Sequence, residues 1–459
     1  MTCTVVIPCH NRADLTRACL HSLQQQADGP PTEILLVDNA STDDTPALAT
    51  TPNVRLLRQE TNLGFAGGVN RGLAAARGDT VLVLNNDTLA APNLLRELQR
   101  ALASDGAIAA VSAVSNEVKG QAQIAVGRRG ETTDGRARIA DELANAPLLQ
   151  DATTLAGLCL LLRCRALDEV GPFDERFGHG NFEDDDLCLR LRLAGHRLAI
   201  ARRAFVHHEG HATFRALGLD VHAEIRRRRQ QFDAKWRQDP AGAATIAALD
   251  DDVEAAALAA QDARAVWPRW ADADWHLGRY WALRRDHPRA IGHFAALLRH
   301  CPEHVDAHLA LGASQLHAGL ADAAQATLAH VARQPLTSLQ QQYLLEQLGV
   351  HAYRSARPAD AEATFRSALR LGNDPRGVLR NWLGLCRMAA ADLAGACSEF
   401  TAAAAAGCAI AHTNLGICAF RSGDVATART AFRRASELLP DDPVAQQNYA
   451  TLCETAGAG

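Results

Sequence analysis

Four consecutive carboxylates, Glu183-Asp184-Asp185-Asp186, run directly into Leu187, Leu189, Leu191 and Leu193, and Gly195 is placed to stop a helix entered through the acids. One or two acids in a first turn suit the helix dipole, but four in a row repel one another. A carboxylate held near a substrate hydroxyl is what general-base chemistry requires, and Arg190 can satisfy one acid from a turn away. A second group closes an apolar run, where Val81-Leu82-Val83-Leu84 ends on Asn85-Asn86-Asp87. Asp87 there could hold a divalent cation against a diphosphate; oxygen ligands of this kind suit Mg²⁺ or Mn²⁺, which keep several waters and take substrate phosphates as further ligands. Asn11 and Asp38 could hydrogen-bond a base and ribose, so a sugar nucleotide is what such a site would fit. The competing reading of Asp38-Asn39 is an ordinary strand-to-turn transition, where both residue types are favoured.

Two further stretches carry chemistry with an alternative beside it. Asn62-Leu63-Gly64-Phe65-Ala66-Gly67-Gly68-Val69-Asn70 places three glycines at the start of a helix, where the backbone can approach an anion; it equally describes a tight connection packed on a sheet. It is neither a dinucleotide fingerprint nor a phosphate loop with its Lys. Val206-His207-His208-Glu209-Gly210-His211 lacks the spacing of a structural zinc site. One His as a ligand to a cation or phosphate fits better, against surface histidines with no role. Arg226-Arg227-Arg228-Arg229 reads most simply as a solvated helix face, with a phosphate clamp as the alternative.

The elements that must position these groups follow from the apolar pattern. Short β-branched runs at 4–7, 34–37, 54–57 and 81–84 alternate with helical patterns at 13–26 and 65–76. Near-continuous apolar strands between helices indicate a mostly parallel sheet covered on both faces. Ligands of such sheets sit beyond the carboxyl ends of the strands, which lines up residues 8–11, 38–39 and 85–87 along one edge. Residues 119–150, polar and rich in Gly and Arg, are expected to form a long loop or insertion. The expected domains are an α/β domain over 1–236, a linker with a helix or two over 237–270, and an all-α region over 271–459.

That last region repeats. Gly278, Gly312, Gly349, Gly384 and Gly416 are 34, 37, 35 and 32 residues apart. Each is followed after 12 residues by Ala (Ala290, Ala324, Ala361, Ala396, Ala428) and after 16 by Phe294, Leu328, Phe365, Phe400 or Phe432. A unit of about 34 residues with small groups at fixed places describes stacked helix pairs, and it resembles the tetratricopeptide repeat. Residues 446–454 could cap the array.

Composition bounds the rest. The chain has 459 residues, 47% hydrophobic and 22% charged, with a net charge of −5. That balance gives no electrostatic case for nucleic acid or anionic membrane. No apolar stretch approaches the roughly 18 residues of a membrane span, and the opening residues lack the pattern of a secretory leader. The expected compartment is the cytoplasm. The 12 cysteines form no Cys-x-x-Cys pair and read as reduced thiols.

Taken together, Val6-Ile7-Pro8-Cys9-His10-Asn11-Arg12, Val37-Asp38-Asn39-Ala40-Ser41-Thr42-Asp43, residues 62–70 and the acid run followed by Leu187 and Arg190 resemble inverting glycosyltransferases of the GT-A fold, family 2. The resemblance covers about residues 1–236. It implies a Rossmann-like α/β domain that binds a UDP-, dTDP- or GDP-sugar through Pro8, Asn11, Arg12, Asp38, Asn39, Asn62, Gly64, Phe65, Asn70 and Asn86. The family's metal-binding Asp-x-Asp falls on Asn85-Asn86-Asp87, with Asn85 in place of the first carboxylate. His208 matches a His that helps hold the metal or leaving group. Asp184 becomes the base and Glu183 its neighbour at the acceptor site, while Asp185, where relatives carry an apolar residue, leaves the base open between 184 and 185. A family-2 domain joined to tetratricopeptide repeats is similar to bacterial enzymes that modify proteins, flagellin glycosyltransferases among them. The implied acceptor is therefore a protein docked by the repeats. The alternatives are a polysaccharide or lipid-linked-sugar acceptor and, from another class, a catalytically degenerate domain on an interaction scaffold.

Overall fold

The computed structural model describes residues 2–28, 31, 33–118, 120–178, 180–210, 220–372 and 374–456. Its strands are β1 (Cys3–Cys9), β2 (Glu33–Asp38), β3 (Val54–Arg58), β4 (Thr80–Leu84), β5 (Thr88–Ala90), β6 (Ile108–Ser115), β7 (Leu149–Asp151), β8 (Cys159–Arg163) and β9 (Arg197–His208). They form one sheet in the order β3-β2-β1-β4-β8-β6-β9-β5, with β7 paired to β9. The β3-β2-β1-β4 half is parallel, as the alternation of strands and helices predicts. Beyond it β8 runs antiparallel to both β4 and β6.

Period-two alternation divides the strands between two buried layers. Val6, Leu35, Val37, Val81 and Val83 face one, and Val5, Ile7, Ile34, Leu36, Leu82 and Leu84 the other. Helices α1 (Ala13–Gln24), α2 (Gly64–Ala75), α3 (Leu94–Ala103), α4 (Thr133–Leu143), α5 (Cys164–Val170) and α6 (Glu183–Leu193) surround the sheet in chain order. Strands buried on both faces have no polar side to present, which is why they read as unbroken apolar runs.

Residues 120–150 are not a long loop. They contain α4 and reach β7. Thr132 caps α4 by accepting from the Gly135 amide at 3.1 Å, and Ile139 and Ala140 enter the core. One of the four arginines that make this stretch look solvent-bound is itself buried: Arg136 donates to the carbonyls of Ala90 and Gly130, both at 3.1 Å.

After β9 come α7 (Val221–Trp236), α8 (Pro240–Leu249), α9 (Val253–Val266), α10 (Asp272–Leu283) and α11 (His287–His300). The chain divides into two compact units, Met1–Ala307 and His308–Gly459. Helices α7 to α11 belong to the first, so the first of the five repeat matches, Gly278 with Phe294, lies in the same unit as the sheet. The second unit is helical among its described residues and ends on a helix over Pro443–Ala456.

The 16-residue spacing has a direct physical meaning. A Cβ on Gly278 would come within 2.5 Å of the Phe294 ring. Gly349 stands in the same relation to Phe365, and Gly416 to Phe432. Each glycine is the flat spot that admits the ring of its partner helix. The five alanines at +12 are fully buried between the same helices.

Candidate active site

The predicted groups, carried by the carboxyl ends of β1, β2, β4 and β9 and by the starts of α2 and α6, divide into two sets. Asn11, Arg12 and Asp38 brace the loops. Asn11 and Arg12 adopt left-handed backbone angles (φ 56° and 59°); the Asn11 amide donates to Ser41 Oγ and its side-chain oxygen accepts from the Thr42 amide, each at 2.8 Å. Asp38 is fully buried and accepts from the Ser41 amide at 2.8 Å. Arg12 forks onto Asp14. Asn70 also serves packing: its carboxamide donates to the Phe173 carbonyl and accepts from the Phe173 amide, pinning α2 to the segment before α6. These four do not line the cavity described next.

Pro8, Asn39, Asn62, Gly64, Phe65, Asn86, Asp87, Glu183, Asp184, Asp185 and His208 do, in a single cavity of about 800 Å³. The structure thus brings together residues spread over two hundred positions of sequence.

The glycine-rich stretch resolves toward packing. The Gly64 amide bonds to Asn62 Oδ1 and the Phe65 amide to the Gly178 carbonyl, both at 2.9 Å, so the first two amides of α2 are already satisfied. A Cβ on Gly68 would crowd Asn39, whose Nδ2 donates to the Gly64 carbonyl. One on Gly72 would overlap Val6 of the sheet. These glycines let α2 lie close against β1 and β2.

The acid run opens α6, and its four members have different fates. Asp186 is fully buried and receives Arg190 Nε at 2.9 Å, Trp236 Nε1 at 2.8 Å and Lys235 Nζ at 2.5 Å. It ties α6 to the end of α7. Asp184 accepts the Gly157 amide on one oxygen at 2.9 Å and the Asp185 amide on the other at 3.0 Å. Burial raises its pKa above the usual aspartate value, against the pull of those amide bonds. Glu183 is only 5% exposed, and its Oε2 has no hydrogen-bond partner. Burial, together with the charges of Asp184 and Asp185, pushes its pKa well above the ordinary glutamate value. Asn181 and Phe182, which enter the helix, both hold positive φ (73° and 71°), a strained conformation for a bulky side chain that functional sites often retain.

The raised carboxyl of Glu183 has a sign for stability. The native state binds its proton more tightly than the unfolded chain does, so stability falls as pH rises above the ordinary glutamate range of about 4.3. Glu183→Gln is expected to raise the Tm near neutral pH by at least about 2 °C. The gap should close below about pH 4, and melting curves from pH 4 to 8 would check this. A gap independent of pH would assign the effect to packing.

In the same cavity as the acids, Asp87 is 6% exposed and its Oδ1 has no hydrogen-bond partner. His208 Nε2 lies 3.4 Å from that oxygen. Burial disfavours the imidazolium, but the adjoining Asp87 outweighs it and the His208 pKa is raised. The ring is oriented from behind by the Glu117 carbonyl, 2.9 Å from Nδ1, and by Asn116, which exchanges two hydrogen bonds with the His208 backbone. Asn116, Glu117 and Gly157 are among the residues to which sequence reasoning gave no role in the site. Asn116-Glu117 directly after a strand was a signal; the role of Gly157 rests on its amide, which no side-chain pattern reveals.

Seven carboxylates and three histidines line the cavity, and no Lys or Arg appears among its described lining residues. One carboxylate, Asp151, is already neutralised by Arg197. Among the described residues no group of three or more His, Cys, Asp or Glu could hold a metal by itself. The pair Asp87 and His208 fits a Mg²⁺- or Mn²⁺-type ion that completes its shell with phosphate oxygens and water. Arg228, expected on a solvated face, is instead buried and bonded to Glu224 and Gln231. His211 and residues 212–219 lie outside the described residues.

Residues 4–171 match the model of the family described as glycosyl transferase family 2. The N-acetylglucosaminyl-diphospho-decaprenol L-rhamnosyltransferase of Mycobacterium tuberculosis is 32% identical over 218 residues, which are 40% of this chain and 69% of that one. The chain belongs to glycosyl transferase family 2. The succinoglycan biosynthesis protein ExoO of Rhizobium meliloti is 39% identical over 111 residues, 23% of this chain; the chain spans only 31% of ExoO's length. A crystal structure of GalNAc-T7 with UDP, GalNAc and Mn²⁺ aligns with a TM-score of 0.36 and 18% identity, covering 45% of this chain and 43% of that one. The family-2 segment that matches the model ends at residue 171, before Asp184 and His208. Those two join it through the cavity.

Proposed function

We propose that this chain transfers a sugar from a UDP-, dTDP- or GDP-sugar to an acceptor hydroxyl, with inversion, and that the hydroxyl belongs to a protein such as flagellin docked by the repeats. The observation that carries the reading is one cavity lined both by the Asp87 and His208 pair and by Asp184. Asp184 takes the proton of the acceptor hydroxyl. The hydroxyl oxygen then bonds to the anomeric carbon from the face opposite the nucleotide, as the bond from that carbon to the diphosphate breaks. Glu183, whose pKa is pushed well above the ordinary glutamate value by burial and by the charges of Asp184 and Asp185, lies beside the base. Asp87 and His208 would hold the divalent cation, which when bound offsets diphosphate charge that no lysine or arginine of the described lining meets.

A saccharide acceptor is the second reading, supported by the names of the rhamnosyltransferase and of ExoO. The test is nucleoside diphosphate release by the full chain from UDP-, GDP- and dTDP-sugars with Mn²⁺, each with a flagellin or an oligosaccharide added. Stimulation by flagellin supports the first reading, and stimulation by the oligosaccharide the second. No release from any donor would overturn both.

A further inference from the structure

Trp275 precedes Gly278 by three residues on α10, the first helix of the first repeat, and it lines the same cavity as Asp87 and Asp184. The family-model match ends a hundred residues earlier. Two sets of contacts make this wall a fixed part of the site. Asp272, in the first turn of α10, pairs with the buried Arg192 in the last turn of α6, the helix whose first turn carries Asp184. Behind α11, Asp151 accepts the Glu303 amide at 2.7 Å and returns its own amide to the Glu303 carbonyl at 3.3 Å. Gln121 Nε2 donates to Asp306 at 2.9 Å, and the His304 ring lies 5.4 Å from that of Trp275. His304 and Asp306 also line the cavity.

The donor-side groups project from one edge of the sheet, from the ends of β1, β2, β4 and β9 and from the segment between β3 and the start of α2. Trp275, His304 and Asp306 come from a helical segment that has no part in that edge, and they share the cavity with the base that must meet the acceptor. An aromatic anchor flanked by a few placed polar groups is how a binding wall is usually built. The excess of carboxylates around it disfavours acidic side chains beside the reacting hydroxyl.

We propose that the start of the repeat array is part of the active site: Trp275 of the first repeat, with His304 and Asp306 beside it in the same cavity, forms the wall on which a neutral or basic Ser- or Thr-bearing polypeptide segment lies while its hydroxyl reaches Asp184. The inference rests on the nucleotide-sugar reading above. It makes the start of the repeat array continuous with the catalytic cavity, so a polypeptide is favoured over a free sugar.

The test uses the full chain, the nucleotide sugar that the wild type splits, and two peptides, Ac-Ala-Lys-Ala-Ser-Ala-Lys-Ala-amide and its Glu-for-Lys counterpart. Trp275→Ala is expected to raise KM for the Lys peptide about tenfold or more, with kcat within about threefold and nucleotide affinity within about twofold. Trp275→Phe should restore most of the loss. Asp306→Asn, which keeps the shape of the wall, should narrow the preference for the Lys over the Glu peptide. An unchanged KM in Trp275→Ala would overturn the proposal, and so would loss of nucleotide affinity, which would place the wall on the donor side. A wild type that splits its donor and glycosylates monosaccharides but neither peptide would overturn the polypeptide class alone. A wild type that splits no donor would instead remove the reading beneath it.

Discussion

Asp184→Asn is expected to lower kcat by about 10²–10⁴-fold, the usual contribution of a positioned general base, while nucleotide affinity stays near that of the wild type. The carboxamide keeps the size of Asp184 and an oxygen for the Gly157 amide, but it cannot accept a proton. Asp185 lines the same cavity, so Asp185→Asn decides the position of the base. If Asp184 is the base, the Asp185 variant should retain more than about a tenth of wild-type kcat. A reversed order would move the base by one residue. The pH profile gives a second reading of the same assignment. A base must be ionised, so wild-type kcat should climb as pH rises through the Asp184 pKa. Burial sets that pKa above the ordinary aspartate value. The acid limb should therefore begin at higher pH than for an exposed carboxylate and should vanish from the residual rate of Asp184→Asn.

Asp87→Ala should abolish cation-dependent nucleotide binding. Asp87 offers a buried oxygen with no hydrogen-bond partner, 3.4 Å from His208, in a cavity whose described lining has no Lys or Arg to meet a diphosphate. With the wild type, the nucleoside diphosphate matching the donor, at about a hundred times its dissociation constant with Mn²⁺, should stabilise the binding unit by about 2.7 kcal/mol. That shift should be small without Mn²⁺ and absent in Asp87→Ala at the same concentrations. A thermal-shift panel of UDP, GDP, dTDP and CMP with and without Mn²⁺ measures it. An equal shift in wild type and variant would remove Asp87 from the site. Asn85→Asp asks whether the amide in place of the family's first carboxylate weakens the cation; tighter Mn²⁺ dependence in that variant is the expected result.

The parts of this molecule that were legible in its sequence are those set by short-range pattern. Unbroken apolar runs placed the first four strands because burial on both faces leaves no room for polar side chains. The Gly-to-aromatic interval of 16 residues located the repeats because one ring needs one missing Cβ, as Gly349 and Phe365 show. The candidate base was visible because four carboxylates at one helix start conflict with simple electrostatics.

What the sequence could not decide was which groups would be used up in holding the others. Asn11 and Asn70 carry the same carboxamide as Asn39 and Asn86, yet Asn11 and Asn70, with Asp38, brace loops and helices away from the cavity that Asn39 and Asn86 line. Asp186 and Asp184 differ by two positions on one helix; one is saturated by Arg190, Trp236 and Lys235, while the other accepts amides in the cavity. Arg136 and Arg228 lie in stretches that read as solvent-facing and are buried; the Ala90 carbonyl from a distant strand meets the first guanidinium, and Glu224, one turn away on the same helix, meets the second. Residue type and local period determined the strands, the repeat unit and the set of possible catalytic groups. Only the tertiary structure decided which of them share a cavity, because hydrogen bonds and ion pairs between segments as remote as Asp151 and Glu303, or Arg192 and Asp272, set where each side chain is held.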